Sequence, residues 1–362
     1  MPGLTAEAVL RAVLGRDLGS QLPLPAAPLD EAVWFVLSST ATAERLWGEV
    51  ADAIATGDLV ATDEQASAVH EHHVGAMGTA LELEALALDV VDLLAREGLE
   101  VRIIKGLATA HLDHPDPARR SFGDVDLLVA PGRFRDTIDV LEANGWQRDL
   151  PERRPGFDER FGKDGTLQRE RWGQVDLHRT LTLGPFGLWI DLDELWAGSE
   201  PFALADRTVE ALDPPRRLLH ACYAAVLTDP VPRLSLLRDV ALLAAEGPGV
   251  LAEAIELSRR WRGEAVLSLG LNLAIERLGI PATPHAYEPS RAEHVALHSY
   301  DSQGGSNTRL LLTGALALPT WRDRAAYLRA LLLPTRSYRE ARRTAGRGGE
   351  WRQGFRELIG RK

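Results

Sequence analysis

Apolar residues recur at three- and four-residue spacing through most of the first hundred positions, the period of amphipathic helices. Residues 5–18 carry it with Thr5 as an N-cap candidate, and the Pro-rich stretch 22–28 ends it. The same spacing predicts helices over 30–38 and over 41–56, the latter with Leu46, Val50 and Ile54 on one face. A long helix is predicted from a cap at Asp63 to about Glu97, closed by Gly98.

At residue 99 the period changes. Val101, Ile103 and Ile104 form a short β-branched run that reads as a strand, followed by a brief helix over 107–112 that Pro115 and Pro117 stop. A second strand is expected over 124–129, turned by Pro131-Gly132, then a helix over 133–143 through Phe134, Ile138 and Leu141 that Gly145 closes. A strand near 146–150, a polar insert at 151–166 and a long strand near 167–180 complete an alternating block. Asp-Gly is a favoured turn pair, so a hairpin tip is expected at Lys163-Asp164-Gly165.

Beyond about 210 the helical period returns over 214–227, 231–245, 249–262, 264–278 and 307–334, with a Pro/Ser/Gly-rich connection at 281–306. The pattern divides the chain into an N-terminal helical region (1–98), an α/β core (99–210), a C-terminal helical domain (211–335) and a basic tail (336–362). The tail reads as a solvated terminal helix, with contact to an acidic partner or a membrane surface as the other reading.

Composition narrows the function classes. The 362 residues are 45% hydrophobic and 26% charged, those of an ordinary globular protein with a sizeable core. The net charge of -11 argues against general affinity for nucleic-acid backbones, while a small polyanion bound through a metal stays compatible. Cys222 is the single cysteine, which excludes a disulfide within the chain and fits a reducing compartment. The opening M-P-G-L-T-A-E-A has no basic or apolar leader region, and no apolar run reaches the roughly 18 residues a membrane span needs. A cytoplasmic location is therefore expected. Arginine greatly outnumbers lysine, and the three lysines are Lys105, Lys163 and Lys362. Against such an arginine-rich background a retained lysine at a strand-to-helix turn, Lys105, is a candidate point charge for phosphate.

The candidate chemistry lies in carboxylates on strands. Side chains at i and i+2 of a strand share a face, so Asp124 and Asp126 are expected to project together while Val125, Leu127 and Val129 face the core. Two adjacent carboxylates repel unless a cation separates them, and Mg²⁺ takes oxygen ligands and completes its shell with water and phosphate. Asp176, in Q-V-D-L-H, is the natural third carboxylate, able to bind a second ion and to assist deprotonation of an acceptor. His178 is expected on the same face, orienting Asp176 or the substrate. Arg119 and Arg120, just before the carboxylate strand, can neutralise phosphate oxygens or serve as plain surface charges. His70 and His73 share a helix face but lack partners for a metal site, and read as a solvated face. His111, Asp113 and His114 lie in a Pro-broken loop and read as structural or solvent-facing.

Lys-Gly-x-Ala at 105–108, Pro-x-Pro-x-Arg at 115–119, Asp-Val-Asp-Leu-Leu-Val at 124–129 and Val-Asp-Leu-His at 175–178 resemble the uncharacterised nucleotidyltransferase family of the polymerase-β-like superfamily. His220 in R-L-L-H and the segment at 233–243 resemble the helical region that follows the catalytic block there. The resemblance covers roughly residues 30–340, with its specific motifs confined to 103–129 and 174–178. It implies an α+β fold: a small mixed sheet forming a nucleotidyltransferase core, flanked by N-terminal and C-terminal helical regions. It also implies Mg²⁺-dependent (or Mn²⁺-dependent) transfer of a nucleoside monophosphate from NTP to a peptide, sugar or small-metabolite acceptor. By position Asp124 and Asp126 are the metal pair and Asp176 the third carboxylate. Lys105 and Gly106 stand where better-known relatives carry a Gly-Ser turn, and the ammonium and the Gly106 amide can take the serine's place. Lys105, Gly106, Arg120 and His178 are thus the candidates for holding the nucleotide. The departure from Gly-Ser and the large helical portions also admit a protein of another class, a nucleotide-binding scaffold that keeps the fold without turnover.

Overall fold

The computed structural model describes residues 5–169, 173–300 and 308–347. The sheet begins where the hydrophobic period changes. Its strands are β1 (Val101–Ile104), β2 (Val125–Val129), β3 (Gln147–Arg148), β4 (Asp164–Arg169), β5 (Gly173–His178), β6 (Ser199–Leu204) and β7 (Arg207–Leu212). They form one mixed sheet in the order β3-β4-β5-β2-β1-β7-β6. The β2–β5 and β1–β7 pairs are parallel and the others antiparallel. Helices precede and follow this sheet in the chain, an α+β architecture with the core expected from the sequence.

Both faces of the central strands are covered. Val101, Ile103, Val125, Leu127, Val175 and Leu177 pack on Leu86, Val90 and Leu94 of the helix Asp63–Arg96 and on Ile138 and Leu141 of the helix Phe134–Ala143. Ile104 and Leu128 face the other way, into a larger apolar cluster. That cluster unites Leu10, Leu14, Leu37 and Val50 of the N-terminal helices with Leu218, Leu219, Leu237 and Leu267 of the C-terminal ones. The two helical regions, distant in sequence, thus share one core.

Several elements differ from the sequence expectation. The stretch 167–180 is not one long strand but part of the β4–β5 hairpin, with Asp164 opposite His178 and Arg169 opposite Gly173. Lys163-Asp164-Gly165 is accordingly the entry to β4 rather than a hairpin tip, and a short helix, Phe157–Phe161, precedes it. The β6–β7 hairpin was not anticipated; its turn uses Ala205 at φ 52°, where glycine is usual, so no turn signal marks it. The helix expected over 41–56 is instead broken at Arg45, which adopts φ 59° and ends the helix Glu31–Glu44 before the next, Trp47–Ala55. A capping box at Ser290 and Glu293 starts an extra helix, Arg291–His298, inside the 281–306 connection. The 307–334 segment divides into Thr308–Ala317 and Trp321–Leu332. The tail is helical over Arg336–Arg347, and its remainder, like the 301–306 part of the connection, lies outside the described residues.

A buried ionic lattice joins these parts. Glu49, on the helix Trp47–Ala55, contacts Arg16 at 3.2 Å, Arg119 at 2.8 Å, Arg238 at 2.6 Å and His114 Nδ1 at 3.5 Å. Asp17 accepts from Arg119 and Arg238. Asp239 accepts from Arg120 at 2.8 Å and lies 3.0 Å from His114 Nε2. Gly48 allows the approach, since a side chain there would strike the backbone of Ala118 and Arg119. His114 is therefore structural, as are its neighbours: His111 meets Glu84 and Asp113 meets Arg217. On the helix Asp63–Arg96, exposed His72 stacks on Trp47 at 4.4 Å, with His70 also exposed.

Burial pushes the Glu49 carboxyl up, but His114, Arg238 and Arg119 outweigh it and hold it at about 2. A depressed carboxylate contributes stability that is complete above its ordinary value of 4.5 and is lost as pH falls toward the folded one. Asp17 and Asp239 are held low in the same sense. Urea midpoints should therefore fall steadily between about pH 4.5 and pH 2. At neutral pH Glu49→Ala, which takes one carboxylate partner from each of three buried arginines, should cost about 3–5 kcal/mol in urea unfolding. A loss below about 1 kcal/mol would mean the lattice is not the constraint its burial implies.

Candidate active site

The site forms where three central strands bring polar residues into one register. Ile104, the last residue of β1, lies opposite Asp126, and Asp126 lies beside Asp176 across the parallel β2–β5 pair. His178, two residues on, shares the Asp176 face. Alternation along β2 turns Leu127 into the sheet core and Asp126 to the opposite side. Asp124 sits at the bend just before β2, half-buried.

Lys105 links β1 to the helix Gly106–Leu112 with φ 54° and ψ -135°, a conformation that favours glycine. Such a backbone costs about 1–3 kcal/mol and persists where the surroundings fix it. Its consequence is direction: the ammonium reaches Asp126 Oδ1 at 2.5 Å and lies 3.1 Å from His178 Nε2. His178 Nε2 is itself 2.7 Å from Asp126 Oδ1. Burial and the Lys105 charge push the His178 imidazole below its ordinary value, so the ring is neutral at pH 7. Against an ionised carboxylate its Nε2–H must be the donor, which leaves Nδ1 as a buried lone pair without a hydrogen-bond partner.

The charges polarise one another. Burial would raise Asp126, but Lys105 and His178 outweigh it and hold the carboxyl well below the usual range. Asp124 moves the other way: burial and the Asp126 charge raise it, against Lys105 and Arg45. Burial opposes the Lys105 ammonium, yet Asp126, Asp124 and Asp176 raise it overall and keep it protonated. Asp176 accepts from Gln174 Nε2 at 3.2 Å.

Of the residues singled out from sequence, Lys105, Asp126, Asp176 and His178 converge. Asp126, Asp176 and His178 each offer an atom within 4.8 Å of the others, a spacing able to hold a metal ion. Asp124 stands outside that group, close enough for its charge to act on Asp126. His178 engages Asp126 rather than Asp176. Gly106 opens its helix against Phe122, with no room for a side chain. Arg120 does not face the site. Its Nε and one terminal nitrogen hold Asp239, and the other terminal nitrogen donates to the Ser121 carbonyl. Arg119 is buried in the same lattice rather than on the surface.

Other groups at the site were not foreseen. Lys163 pairs with Asp164 at 2.7 Å, and both charges act on the same cluster. The scarcity of lysine, applied to Lys105, would have marked Lys163 equally. His220, on the helix Pro214–Leu227, is fully buried behind the site and held neutral by burial and by the nearby Lys105 charge. Arg45 packs its guanidinium over Gly123 beside Asp124, placed there by the left-handed turn that no glycine announced.

The model of a family described as uncharacterised nucleotidyltransferase matches residues 30–279, more than half of the chain and all of this site. The chain belongs to that family. Two solved structures are similar at low identity. One is a lincosamide antibiotic adenylyltransferase, LnuA, with lincomycin bound: 17% identical, covering 45% of this chain and 97% of that one, with a TM-score of 0.31. The other is an antigenic nucleotidyltransferase-like protein from Paracoccidioides brasiliensis: 18% identical, covering 55% and 93%, with a TM-score of 0.34. No curated protein matches the chain. No helix among the described residues is long and apolar enough to cross a membrane.

The two glycines beside this candidate site should respond differently to alanine. A Cβ on Gly106 would lie 2.5 Å from the Phe122 Cβ, an atom tied to the backbone that cannot swing away. A Cβ on Gly123 would meet the end of the flexible Arg45 side chain. Gly106→Ala should therefore cost about 1–3 kcal/mol in chemical unfolding, and Gly123→Ala clearly less. Equal costs would show that the Lys105–Gly106 turn is not held against Phe122.

Proposed function

We propose that the chain is a divalent-metal-dependent nucleotidyltransferase that moves a nucleoside monophosphate from NTP to an acceptor hydroxyl. The observation that carries this reading is Asp126 set beside Asp176 in one register, with Asp124 just ahead of them and the whole within the family's matched span. The donor set fits Mg²⁺ or Mn²⁺: its aspartate oxygens are hard ligands, and His178 is occupied as a donor to Asp126 rather than as a nitrogen ligand. Three carboxylates facing the single Lys105 ammonium also leave a net charge of two negatives for a divalent ion to neutralise. Asp124, Asp126 and Asp176 would hold the ion, with Lys105 giving up its place on Asp126.

Held by these carboxylates, a divalent ion would supply positive charge against the negative charge that develops during displacement at the α-phosphorus. The protein's own groups do the remainder. His178 holds Asp126 in one orientation through its Nε2–H. The Lys105 ammonium, swung from Asp126, and the Gly106 amide at the helix start bind triphosphate oxygens. Asp176 accepts the acceptor's proton as its oxygen forms the new bond to the α-phosphorus and the bond to the leaving pyrophosphate breaks. The acceptor class stays open among a peptide, a sugar and a small metabolite.

A second reading is favoured by one observation. Lys105 at 2.5 Å from Asp126 already supplies the positive charge a metal would bring, as expected of a nucleotide-binding scaffold without turnover. Calorimetry of the four NTPs with and without Mg²⁺, beside transfer of labelled nucleoside monophosphate to fractionated peptide, sugar and metabolite pools, separates the two. The enzyme reading expects Mg²⁺-dependent binding and transfer, both lost in Asp124→Ala/Asp126→Ala. Binding with no transfer to any pool would favour the scaffold, and no binding with any metal would overturn both.

A further inference from the structure

A second concave site lies away from the carboxylates, where the start of the tail meets the insert between β3 and β4. Arg339, Arg342 and Arg343 recur at three- and four-residue spacing on the helix Arg336–Arg347, so they share one face. That face lines a cleft of about 340 Å³ together with Arg153 from the insert and the apolar side chains of Leu331 and Tyr338. No carboxylate is among the lining residues. The nearest acid in sequence, Glu340, is engaged by Arg336 at 2.7 Å, and among the described residues Arg153, Arg339, Arg342 and Arg343 make no ion pair. In a chain of net charge -11 with many paired arginines, four arginines without an ion pair among the described residues stand out around one hollow.

The cleft is also built rather than incidental. Arg153 lies over the Tyr338 ring at 4.8 Å, and Tyr338 is itself buried. The Thr335 amide donates to the Arg153 carbonyl at 2.8 Å, and Arg154 donates to the Leu333 carbonyl at 2.6 Å, tying both walls together. Beneath them Phe157, Phe161, Tyr327 and Ala330 form a separate apolar cluster that anchors the insert to the C-terminal helices. The four arginines thus line one hollow whose two walls are tied to each other.

We propose that this cleft binds a small, multiply charged phosphate-bearing anion. Guanidinium groups match phosphate oxygens in paired hydrogen bonds, and the volume suits a ligand of a few phosphate groups rather than a flat lipid surface. Binding here needs no divalent metal and none of the strand carboxylates, so it stands or falls apart from the nucleotidyl reading.

The test is calorimetry of the full chain with inorganic tripolyphosphate in EDTA. Saturable one-to-one binding is expected, weakened roughly tenfold or more in Arg339→Ala/Arg342→Ala and only partly restored in Arg339→Lys/Arg342→Lys, which keep the charge but not the paired hydrogen bonds. Both arginines are exposed, and an unchanged melting temperature without ligand would show the variant folded. Any Mg²⁺-dependent NTP binding should be unaffected by the same substitutions. Absence of saturable binding, or binding the alanine variant leaves intact, would overturn the proposal. So would retention on phosphatidylcholine–phosphatidylserine vesicles, lost in the variant, without binding of tripolyphosphate; the cleft would then be part of a membrane-facing surface.

Discussion

The architecture depends on a set of charges that water does not reach. Glu49, nearly inaccessible, is surrounded by Arg16, Arg119, Arg238 and His114, while Asp239 holds Arg120 and His114. Removing such ions from solvent costs several kcal/mol each, and only close pairing offsets it, so the lattice is better read as a device for uniqueness than for net stability. Its members come from the first helices, the loop before β2 and the helix Leu234–Ala245. One geometry satisfies them all. That geometry fixes the segment 113–120 and thereby where the chain enters β2, which sets the position of Asp124 and the register of Asp126 beside Asp176.

The lattice also explains why the arginines next to the carboxylate strand are paired with carboxylates inside the protein. Arg119 and Arg120 precede the aspartates by only a few residues, and from sequence their charges look available. In the fold they point back into the protein, because Glu49 and Asp239 are carboxylates that only buried cations can neutralise. The sequence shows the charges of these four residues but not which of them are out of water, and burial is what decides their role.

What was legible in the sequence followed from periodicity, and what was not follows from backbone conformation. The β-branched run at 101–104, the strand carrying Asp126 and Leu127, and the helices between 214 and 278 stand where spacing placed them, because each buries one continuous apolar face. The failures cluster at residues with positive φ that are not glycine. Arg45 splits an apparently continuous helix, and Ala205 turns a hairpin that no Gly or Asn marks. In both places side chains compatible with the neighbouring element hide a reversal that tertiary contacts impose. The β4–β5 hairpin failed differently: alternation persists on both sides of its turn, so a single strand satisfies the pattern equally well. Within the site, Asp126, Asp176 and His178 were legible as motifs and His220 only as part of the R-L-L-H helix, whereas Lys163 and Arg45 arrive from separate elements without a motif.

Lys105 belongs to the same class of strained residues, and there the strain has a chemical result. Its left-handed backbone is bounded by β1 pairing on one side and by Gly106, pressed on Phe122, on the other, so neither neighbour can relax to relieve it. With an ordinary strand or helix conformation the side chain would follow the alternation of β1 or the face of the helix. The reversed turn instead delivers an ammonium among three carboxylates, where it is attracted by all three and hydrogen-bonded to one. A lysine held there keeps the closely spaced carboxylates mutually tolerable, through one ion pair with Asp126. The flexible four-carbon stem allows the ammonium to move to another anion without any change in the sheet. A strained backbone thus places a charge on a flexible stem against a rigid carboxylate register.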